Sequence, residues 1–490
     1  MAKRTAVIDI GSNSVRMVIY EKTSRFAFHL LYETKTKVRL SQDIYQNNGN
    51  LQEKPMQRTI YALSDFLSII NSFKARKVLC VATSALRDAP NKKDFINRVK
   101  KELKLSIKVI TGEREAYLGA IACSNLLPEQ DKALSIDIGG GSTELAIINN
   151  KDISNNRSLK LGTVRLKELF FDKQDIDGAI SYCDNALQNL DNLDVKSLVG
   201  IGGTFRALTI AIMKQKNYPL KKVHAYEYTK KEFNLFLSKI LSANNDEDLK
   251  NLFIKKNRFD IIKPGALILS RVMLKLNCER IITSGVGVRE GVYLSDLLRN
   301  SKDKLPVNYS TSVRYILDSF VDDKQFSNQL NKVSKDIFNL THEHFKIPIE
   351  YRYELSVAAK LYICGASINI YNQNRHSYQI IKSALEFEFS HKQSTLISTL
   401  CKYVGKDCPS DSHIQKYSTL LPNEDILNSL IYILSLSVAL LSHKPRNIDF
   451  DMKFKKNELL VDMKRDVYLS QESILNLCEV RDFKVKISVP

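Results

Sequence analysis

Short apolar runs separated by turns dominate about the first 300 residues. Three such runs, rich in β-branched and aromatic residues, follow closely at Thr5–Ile10, Val15–Tyr20 and Phe26–Tyr32. Runs of this kind with short connections predict an antiparallel meander. Further strands are predicted at 77–83 and 106–111, and helices at 55–73, 92–103 and 113–126. The mixture predicts an α/β fold.

The pattern restarts near residue 130, with strands predicted at 133–138, 143–148 and 153–161. Each half opens with a strand, an aspartate and a glycine turn. Asp9 and Asp137 lie 128 residues apart, in Ile8-Asp9-Ile10-Gly11-Ser12-Asn13 and Ile136-Asp137-Ile138-Gly139-Gly140-Gly141-Ser142. We therefore expect two duplicated lobes, residues 1–125 and 126–300, whose glycine turns face each other across a cleft.

Beyond residue 300 the periodicity becomes helical. A polar, charged segment at 301–306 precedes helices predicted at 312–320, 325–344, 352–370, 393–403 and 424–443. Residues 448–489 alternate lysine with apolar residues and predict a few strands. The apolar run Ile426–Leu441 is interrupted by serines and falls short of the roughly 20 residues of a spanning helix. Residues 301–490 are thus expected to form a helical region with a small β-rich C-terminus.

The composition says more about the kind of binding partner than about the fold. The 490 residues are 44% hydrophobic and 26% charged, with a net charge of +19. Such an excess favours a polyanionic partner, although lysines scattered over solvated faces would give the same number. Eight cysteines without a CxxC pair suggest neither a zinc site nor a disulfide framework. No apolar leader precedes the first strand, so we expect a cytoplasmic protein without membrane insertion or an obligate nucleic acid.

The glycine turns are the first candidates for chemistry. Three glycines at 139–141 let the backbone approach an anion and direct several N–H groups at it. Asp137 before the turn and Glu144 after it supply carboxylates suited to a divalent cation. A tight hairpin that needs glycine only for its conformation is the alternative. The same arrangement of strand, aspartate and glycine turn recurs at Gly11-Ser12-Asn13-Ser14, and this repetition favours the phosphate cradle.

Two further segments carry charged candidates. Gly112-Glu113-Arg114-Glu115-Ala116 opens a predicted helix after a strand. Glu113 and Glu115 are first-turn acids of the kind that the helix dipole favours. Alternatively, one of them is a general base that takes a proton from attacking water. Arg87, in Ala82-Thr83-Ser84-Ala85-Leu86-Arg87-Asp88, follows small residues at a strand end, where a guanidinium suits a phosphate.

Two more glycine turns follow apolar strands and open helices. They are Gly200-Ile201-Gly202-Gly203-Thr204 and Ser284-Gly285-Val286-Gly287-Val288-Arg289-Glu290-Gly291. Helix N-termini attract anions, but each turn alone is weak evidence.

Taken in order, these segments closely resemble the exopolyphosphatase / guanosine pentaphosphate phosphohydrolase family. The resemblance covers about residues 5–300, and more loosely the remainder. It implies two actin-like, ribonuclease-H-like lobes around a cleft. It further implies Mg²⁺-dependent hydrolysis of the terminal phosphoanhydride of inorganic polyphosphate, or of the 5′ γ-phosphate of pppGpp. We also expect a homodimer.

The resemblance also assigns residues. Glu115 matches the family's catalytic base, Arg87 its phosphate-binding arginine, and Asp137 with Glu144 its metal ligands. Phosphate oxygens would be held at Ser12, Asn13, Gly140, Gly141 and Ser142. The supporting cleft residues are Asp9, Gly11, Gly139, Gly202, Gly203, Thr204 and Gly285.

The C-terminal region departs from its relatives. Long family members carry a helical domain similar to histidine–aspartate (HD) phosphohydrolases, but Tyr362 and Ile363 stand where its His and acid would. We therefore predict an HD-like domain without a second active centre, used to grip a polyanion or to form the dimer.

Exopolyphosphatase is the leading functional hypothesis, and pppGpp 5′-phosphohydrolase is a close alternative that shares every motif. A non-catalytic polyphosphate or nucleotide sensor is disfavoured because Glu115, Asp137 and Glu144 occur together. No sugar-binding signature supports a sugar kinase.

Overall fold

The computed structural model describes residues 3–44, 46–188, 190, 193–405, 408–477 and 482–489. The chain divides into two compact units, Met1–Tyr309 and Ser310–Pro490. Each unit has its own hydrophobic core.

The first unit is built from strands and helices in alternation. Its strands are β1 (Arg4–Ile10), β2 (Val15–Lys22), β3 (Phe28–Thr36), β4 (Lys77–Ala82), β5 (Lys108–Val109), β6 (Ala133–Ile138), β7 (Thr143–Asn149), β8 (Asp152–Leu159), β9 (Ser197–Ile201), β10 (Tyr226–Thr229) and β11 (Arg280–Thr283). Its helices are α1 (Glu53–Ser72), α2 (Ser84–Arg87), α3 (Lys92–Leu103), α4 (Gly112–Leu126), α5 (Thr163–Leu169), α6 (Ile176–Ala186), α7 (Gly202–Gln215), α8 (Lys230–Ser242), α9 (Asp246–Asn251), α10 (Phe259–Lys275) and α11 (Val288–Leu297).

Both sheets of this unit follow one plan. The first has the order β3-β2-β1-β4-β5, and the second has β8-β7-β6-β9-β11 with β10 added at the edge. In each, three antiparallel strands are followed by parallel ones. The predicted meander and the duplicated α/β fold are confirmed.

The repeat extends to the register of the first hairpin in each sheet. Asp9 pairs with Arg16 across β1 and β2, and Asp137 pairs with Glu144 across β6 and β7. The N–H of Gly11 donates to the carbonyl of Ser14 at 3.2 Å, and that of Gly139 to the carbonyl of Ser142 at 2.9 Å. The two glycine turns are therefore the same backbone structure.

Helices α4 and α11 connect the two sheets. Helix α4 follows the first sheet in sequence but packs on β6, β7 and β8, whereas α11 packs on α4 and on β1. A Cβ at Gly291 would overlap the carbonyl oxygen of Leu118, so the crossing of these helices requires glycine there. Two closely packed helices thus link the two sheets of this unit.

The second unit is mainly helical. Its helices are α12 (Thr311–Phe320), α13 (Lys324–Thr341), α14 (Tyr351–Leu361), α15 (Gln373–Ala384), α16 (His391–Tyr403), α17 (Asp411–Tyr417), α18 (Glu424–Leu440) and α19 (Tyr468–Leu475). Strands β12 (Phe450–Lys455), β13 (Glu458–Met463) and β14 (Lys484–Ser488) form a three-stranded sheet in the order β12-β13-β14.

The second unit differs from the sequence prediction in two places, and the first difference has a local cause. Helix α14 ends at Leu361 and not near residue 370, because a 3₁₀ turn follows at Tyr362–Ser367. There Gly365 packs against α15 and its N–H donates to Ser377 Oγ at 2.9 Å. The predicted strand region also contains helix α19.

Helix α18 is buried over most of its length, as predicted for the apolar run. Within the described ranges, no helix has the length and hydropathy needed to cross a membrane.

Candidate active site

The two glycine turns face each other, as the duplication predicted. A Cβ on Gly140 would lie 3.0 Å from the Cβ of Ser12. Ser12 Oγ also hydrogen-bonds Ser84 Oγ at 3.1 Å, at the start of α2. Backbone from both sheets therefore surrounds one cavity.

Glu115 and Arg87 form an ion pair at this cavity. Arg87 ends the short helix α2 after β4, and its Nη1 donates to Glu115 Oε2 at 2.8 Å. Glu115 lies in the first turn of α4, whose N-cap Thr111 accepts from the N–H of Arg114. Burial, and then the charge of Glu144, raise the pKa of Glu115 well above its ordinary value. The pair sets the base candidate beside a cation at the cavity wall.

Arg87 also reaches the opposite glycine turn. Its Nη2 donates to Ser142 Oγ at 3.3 Å, and Ser142 Oγ donates to Glu144 Oε1 at 2.6 Å. Arg87 Nη2 lies 3.8 Å from Glu144 Oε1. The guanidinium of Arg87 thereby binds Glu115 directly and Glu144 through the hydroxyl of Ser142.

Gly112 explains why α4 can begin here. A Cβ at this residue would overlap the side chain of Ser158 on β8. Ser158 Oγ donates to Glu144 Oε1 at 2.8 Å. The glycine of the Gly112–Ala116 segment thus allows the helix start, and with it Glu115, to approach the Glu144 side of the cavity.

Asp9 and Asp137 line the cavity from the ends of β1 and β6. Gly202 has φ +88°, and a Cβ there would overlap Oδ1 of Asp137, so glycine is required by both conformation and space. Burial, opposed by the charge of Arg206 and assisted by that of Asp9, raises the pKa of Asp137 to about 6. Burial likewise raises the pKa of Glu144 to about 7.

One or two of these carboxylates fit a magnesium ion, but among the described residues no group of three His, Cys, Asp or Glu is placed to hold a metal by itself. Mg²⁺ is commonly held by one or two carboxylates together with waters and substrate phosphates. Asp137 lies at the cavity with Asp9 close enough to act on its pKa. Glu144 lines the same cavity, but its Oε1 already accepts from Ser142 and Ser158. Asp137 is the better placed ligand, and Glu144 has one oxygen partly committed.

A group of five cations lines the other part of the cavity, and we call it the cationic flank. Its members are Arg16, Lys35, Arg206, Arg258 and Arg289. Arg289 pairs with Glu33 at 2.5 Å. Among the described residues, the other four have no carboxylate within 4 Å. The charges of Arg16 and Arg206 are therefore compensated only at longer range, by carboxylates such as Asp9 and Asp137.

Mutual repulsion in the flank is visible in its pKa values. Burial, and then the charges of Arg16, Arg258, Arg206 and Arg289, lower the pKa of Lys35 to about 7. Burial, and then Arg289 and Arg206, lower that of Arg16 to about 10. A bound polyanion would relieve this crowding.

Most residues predicted from sequence meet at the cavity. Those lining it are Asp9, Gly11, Ser12, Asn13, Glu115, Asp137, Gly139, Gly140, Ser142, Glu144, Gly202, Gly203 and Thr204. Arg87 joins them through Glu115. Gly141 accepts at its carbonyl from Arg165 Nε at 2.9 Å. Gly285 lies apart, with its N–H donating to His224 Nδ1 at 3.1 Å, and Gly287 lines the cavity in its place.

The structure adds the cationic flank, which sequence reasoning missed. Arg206 and Arg289 each follow a predicted glycine turn by a few residues, so a helix-start argument could have found them. Lys35 and Arg258 come from segments without any glycine signal.

In the second unit, Tyr362 is buried and its hydroxyl donates to Asn374 Oδ1 at 3.0 Å. Ile363 packs against the core of that unit. Tyr362 and Ile363, which stand where the HD metal ligands would be, therefore make structural contacts within the second unit.

Comparison with known proteins agrees with this geometry. The model of the Ppx/GppA phosphatase family matches residues 18–300, and that of Ppx/GppA phosphatase, domain III, matches residues 310–477. The chain belongs to the Ppx/GppA phosphatase family.

Among the similar proteins are two curated relatives and one solved structure. A bifunctional 3-dehydroquinate synthase/phosphatase of Fusobacterium nucleatum is 33% identical over 297 residues, which are 57% of this chain and only 44% of that protein. A guanosine-5′-triphosphate,3′-diphosphate pyrophosphatase of Photobacterium profundum is 26% identical over 477 residues, covering 94% of this chain and 91% of that protein. The crystal structure of an exopolyphosphatase from Cytophaga hutchinsonii has a TM-score of 0.56 and 27% identity, covering 60% of this chain and 97% of that one.

Proposed function

We propose that this phosphatase is a Mg²⁺-dependent exopolyphosphatase that removes the terminal phosphate of inorganic polyphosphate. The observation that carries the proposal is the cationic flank beside the two glycine turns, with four cations lacking a carboxylate partner among the described residues. A chain of phosphates supplies negative charge both at the turns and along the flank. The net charge of +19 supports the same class of substrate.

The reaction needs little from the protein beyond position and charge. The terminal phosphate would lie between the amides of the two turns, with its oxygens near Arg87. Glu115 would accept a proton from the attacking water as the new O–P bond forms and the phosphoanhydride P–O bond breaks. Arg87 holds Glu115 Oε2, and within the described part of the chain no donor reaches Oε1, which is left for water.

Asp137 and Glu144 would hold the magnesium together with waters and substrate phosphates, with Asp9 nearby, since the described residues contain no group of three His, Cys, Asp or Glu placed around one metal position. When bound, the ion neutralises charge on the phosphate oxygens. Gly202 leaves the space that the Asp137 carboxylate occupies, and the hydroxyls of Ser142 and Ser158 donate to Glu144 Oε1. The two hydroxyls would orient Glu144 before substrate arrives.

The second candidate is hydrolysis of the 5′ γ-phosphate of pppGpp. The similarity to a guanosine-5′-triphosphate,3′-diphosphate pyrophosphatase over 94% of this chain favours it. The turns would hold the 5′ phosphates, and the cationic flank would hold the 3′ diphosphate.

Phosphate release from long polyphosphate and from pppGpp, measured side by side with and without Mg²⁺, tests the proposal. A higher kcat/KM on polyphosphate that requires Mg²⁺ is the expected result. Turnover of pppGpp alone would establish the second candidate. Binding of either compound without turnover would indicate a sensor.

A further inference from the structure

A cluster of lysines and aromatic residues lies in the second unit and includes none of the residues to which a site role was given above. Three helices contribute to this tyrosine–lysine cluster, and its members are Tyr378 and Lys382 of α15, Lys402 and Tyr403 of α16, and His413, Lys416 and Tyr417 of α17. The aromatic side chains are buried, Lys382 and Lys402 are half-buried, and Lys416 is exposed.

Among the described residues, the side chains that bind the ammonium groups of the two half-buried lysines are tyrosine hydroxyls and an imidazole. Lys382 Nζ donates to the hydroxyl of Tyr417 at 2.9 Å. Lys402 Nζ donates to the hydroxyl of Tyr403 at 3.0 Å and to His413 Nδ1 at 3.1 Å. An ammonium has three N–H donors, so donors remain on both groups.

The imidazole does not supply negative charge either. Since the ammonium of Lys402 can only donate, His413 Nδ1 accepts, and the proton on Nε2 faces Thr399 Oγ1 at 3.0 Å. Burial, and then the charges of Lys402, Lys382 and Lys416, lower the pKa of His413 to about 4. The histidine is therefore neutral at pH 7.

Within the described residues, which leave out 406 and 407, none of the three lysines has a carboxylate within 4 Å. Partly buried charges are ordinarily paired, because removing them from water costs free energy. The tyrosine rings compensate only in part, with Lys382 and Lys402 lying 5.4 and 5.2 Å from the centroid of the same ring, that of Tyr378.

We propose that this cluster binds a compact oxyanion, a phosphate or diphosphate group, held by the ammonium groups of Lys382 and Lys402 with Lys416 at its rim. Charge-assisted hydrogen bonds from ammonium to phosphate oxygen are short and strong. The Tyr378–Tyr417 hydroxyl pair, at 3.1 Å, fixes the two tyrosines that position Lys382. The ligand is either free phosphate, the product of the phosphatase reaction, or a phosphate group of a larger molecule.

The exposed Cys408 provides a local reporter. Among the described cysteines, Cys408 is exposed and the other six are buried. Ser410, two residues further on, hydrogen-bonds the hydroxyl of Tyr403 at 3.3 Å. An environment-sensitive fluorophore on Cys408 of the full chain, in a Cys478→Ser background, would report on the cluster.

The experiment titrates this labelled protein with pyrophosphate, orthophosphate and GDP in Mg²⁺-free buffer. A saturable fluorescence change is expected for pyrophosphate. The Kd should rise at least about tenfold in Lys382→Gln/Lys402→Gln, because two charged donors are lost. Lys392→Gln, an exposed lysine on the same helix as Lys402, is the matched control and should change the Kd less than about twofold.

Each arm has a decisive outcome. Equal affinity for orthophosphate and pyrophosphate identifies free phosphate as the ligand, whereas preference for GDP identifies a phosphate group on a larger molecule. An unchanged Kd in the double variant, an equal loss in Lys392→Gln, or no saturable change would overturn the proposal. The single variants are measured as well, in case the double variant does not fold.

The site is independent of the proposed function. A signal that disappears in Arg87→Gln would come from the first unit and would also overturn the proposal. The signal should survive in Arg87→Gln whether or not that variant retains turnover.

Discussion

Arg16 and Glu144 occupy equivalent positions in the two duplicated hairpins. Each lies across from the aspartate that precedes the glycine turn, Arg16 opposite Asp9 and Glu144 opposite Asp137. The same backbone therefore presents a guanidinium in one lobe and a carboxylate in the other. We infer that this hairpin position has become asymmetric in charge, with a cation beside one glycine turn and a carboxylate beside the other.

This asymmetry predicts a binding defect for Arg16→Gln. The variant should raise KM for a polyphosphate substrate about tenfold or more, the effect of one lost hydrogen bond to a charged group, with a smaller change in kcat. Steady-state kinetics on a short polyphosphate gives both constants. Arg25→Gln, at an exposed residue, is the control. A fall in kcat alone would place Arg16 with the reacting groups.

Glu115→Gln should lower kcat by about 10²- to 10⁴-fold, the usual contribution of a general base. Substrate binding should be nearly unchanged, because Arg87 and the turns remain. Glu113→Gln, exposed in the same helical turn, should retain full activity. Turnover above half of wild type in Glu115→Gln would mean that another group accepts the proton from water.

Asp137→Asn and Glu144→Gln should raise the Mg²⁺ concentration needed for half-maximal activity, since each removes a carboxylate from a hard cation. The effect should be larger for Asp137→Asn, because Glu144 Oε1 already accepts from two hydroxyls. Asp9→Asn tests the third acid. Magnesium titrations that match wild type for all three variants would show that the ion binds elsewhere.

How far the sequence alone predicted this site depends on how local each signal was. The glycine turns with Asp9 and Asp137 were predictable because strand, acid and turn lie within a few residues and occur twice. Lys35 and Arg258 were not, because they reach the cavity from segments with ordinary local sequence. The pairing of Arg87 with Ser142 was equally hidden, since it joins two sheets.

The fold shows the same division. The strand meander follows from short apolar runs rich in β-branched and aromatic residues, and it was predicted nearly to the residue at β1 and β2. The packing of α4 on the second sheet was not predictable from its position in the chain, since it depends on Gly112 and Gly291 meeting residues far away in sequence. The roles of the site residues stay predictions.

Glu144→Gln should also stabilise the first unit at alkaline pH. The pKa of Glu144 is raised to about 7, so the unfolded chain, with an ordinary pKa near 4.5, binds fewer protons between these values. Ionisation of Glu144 therefore lowers the free energy of unfolding as the pH rises from about 4.5 to 7. Above pH 7 the loss is about 1 to 3 kcal/mol.

The glutamine variant removes this cost, so its thermal midpoint should exceed that of wild type at pH 8 and approach it near pH 5. Differential scanning calorimetry at both pH values measures the difference. A variant less stable at pH 8 would mean that Arg87 and the serine hydroxyls stabilise the ionised group more than burial penalises it.

The last prediction concerns the second unit as a grip for polymer. If residues 310–490 bind polyphosphate electrostatically, deleting them should weaken binding of long chains much more than binding of short ones. A long polyanion releases counterions from many contacts, by analogy with nucleic acids, so its affinity falls steeply with salt. A short substrate is held mainly by Arg87, the turns and the cationic flank, and its salt slope should be shallower.

Truncation after Tyr309, at the boundary between the two compact units, should flatten the slope for long chains and make hydrolysis less processive. Salt slopes for long and short polyphosphate are compared in both proteins, once calorimetry shows that the truncated chain folds. Equal losses for both lengths would mean that the second unit supports the first unit or its assembly and does not bind polymer.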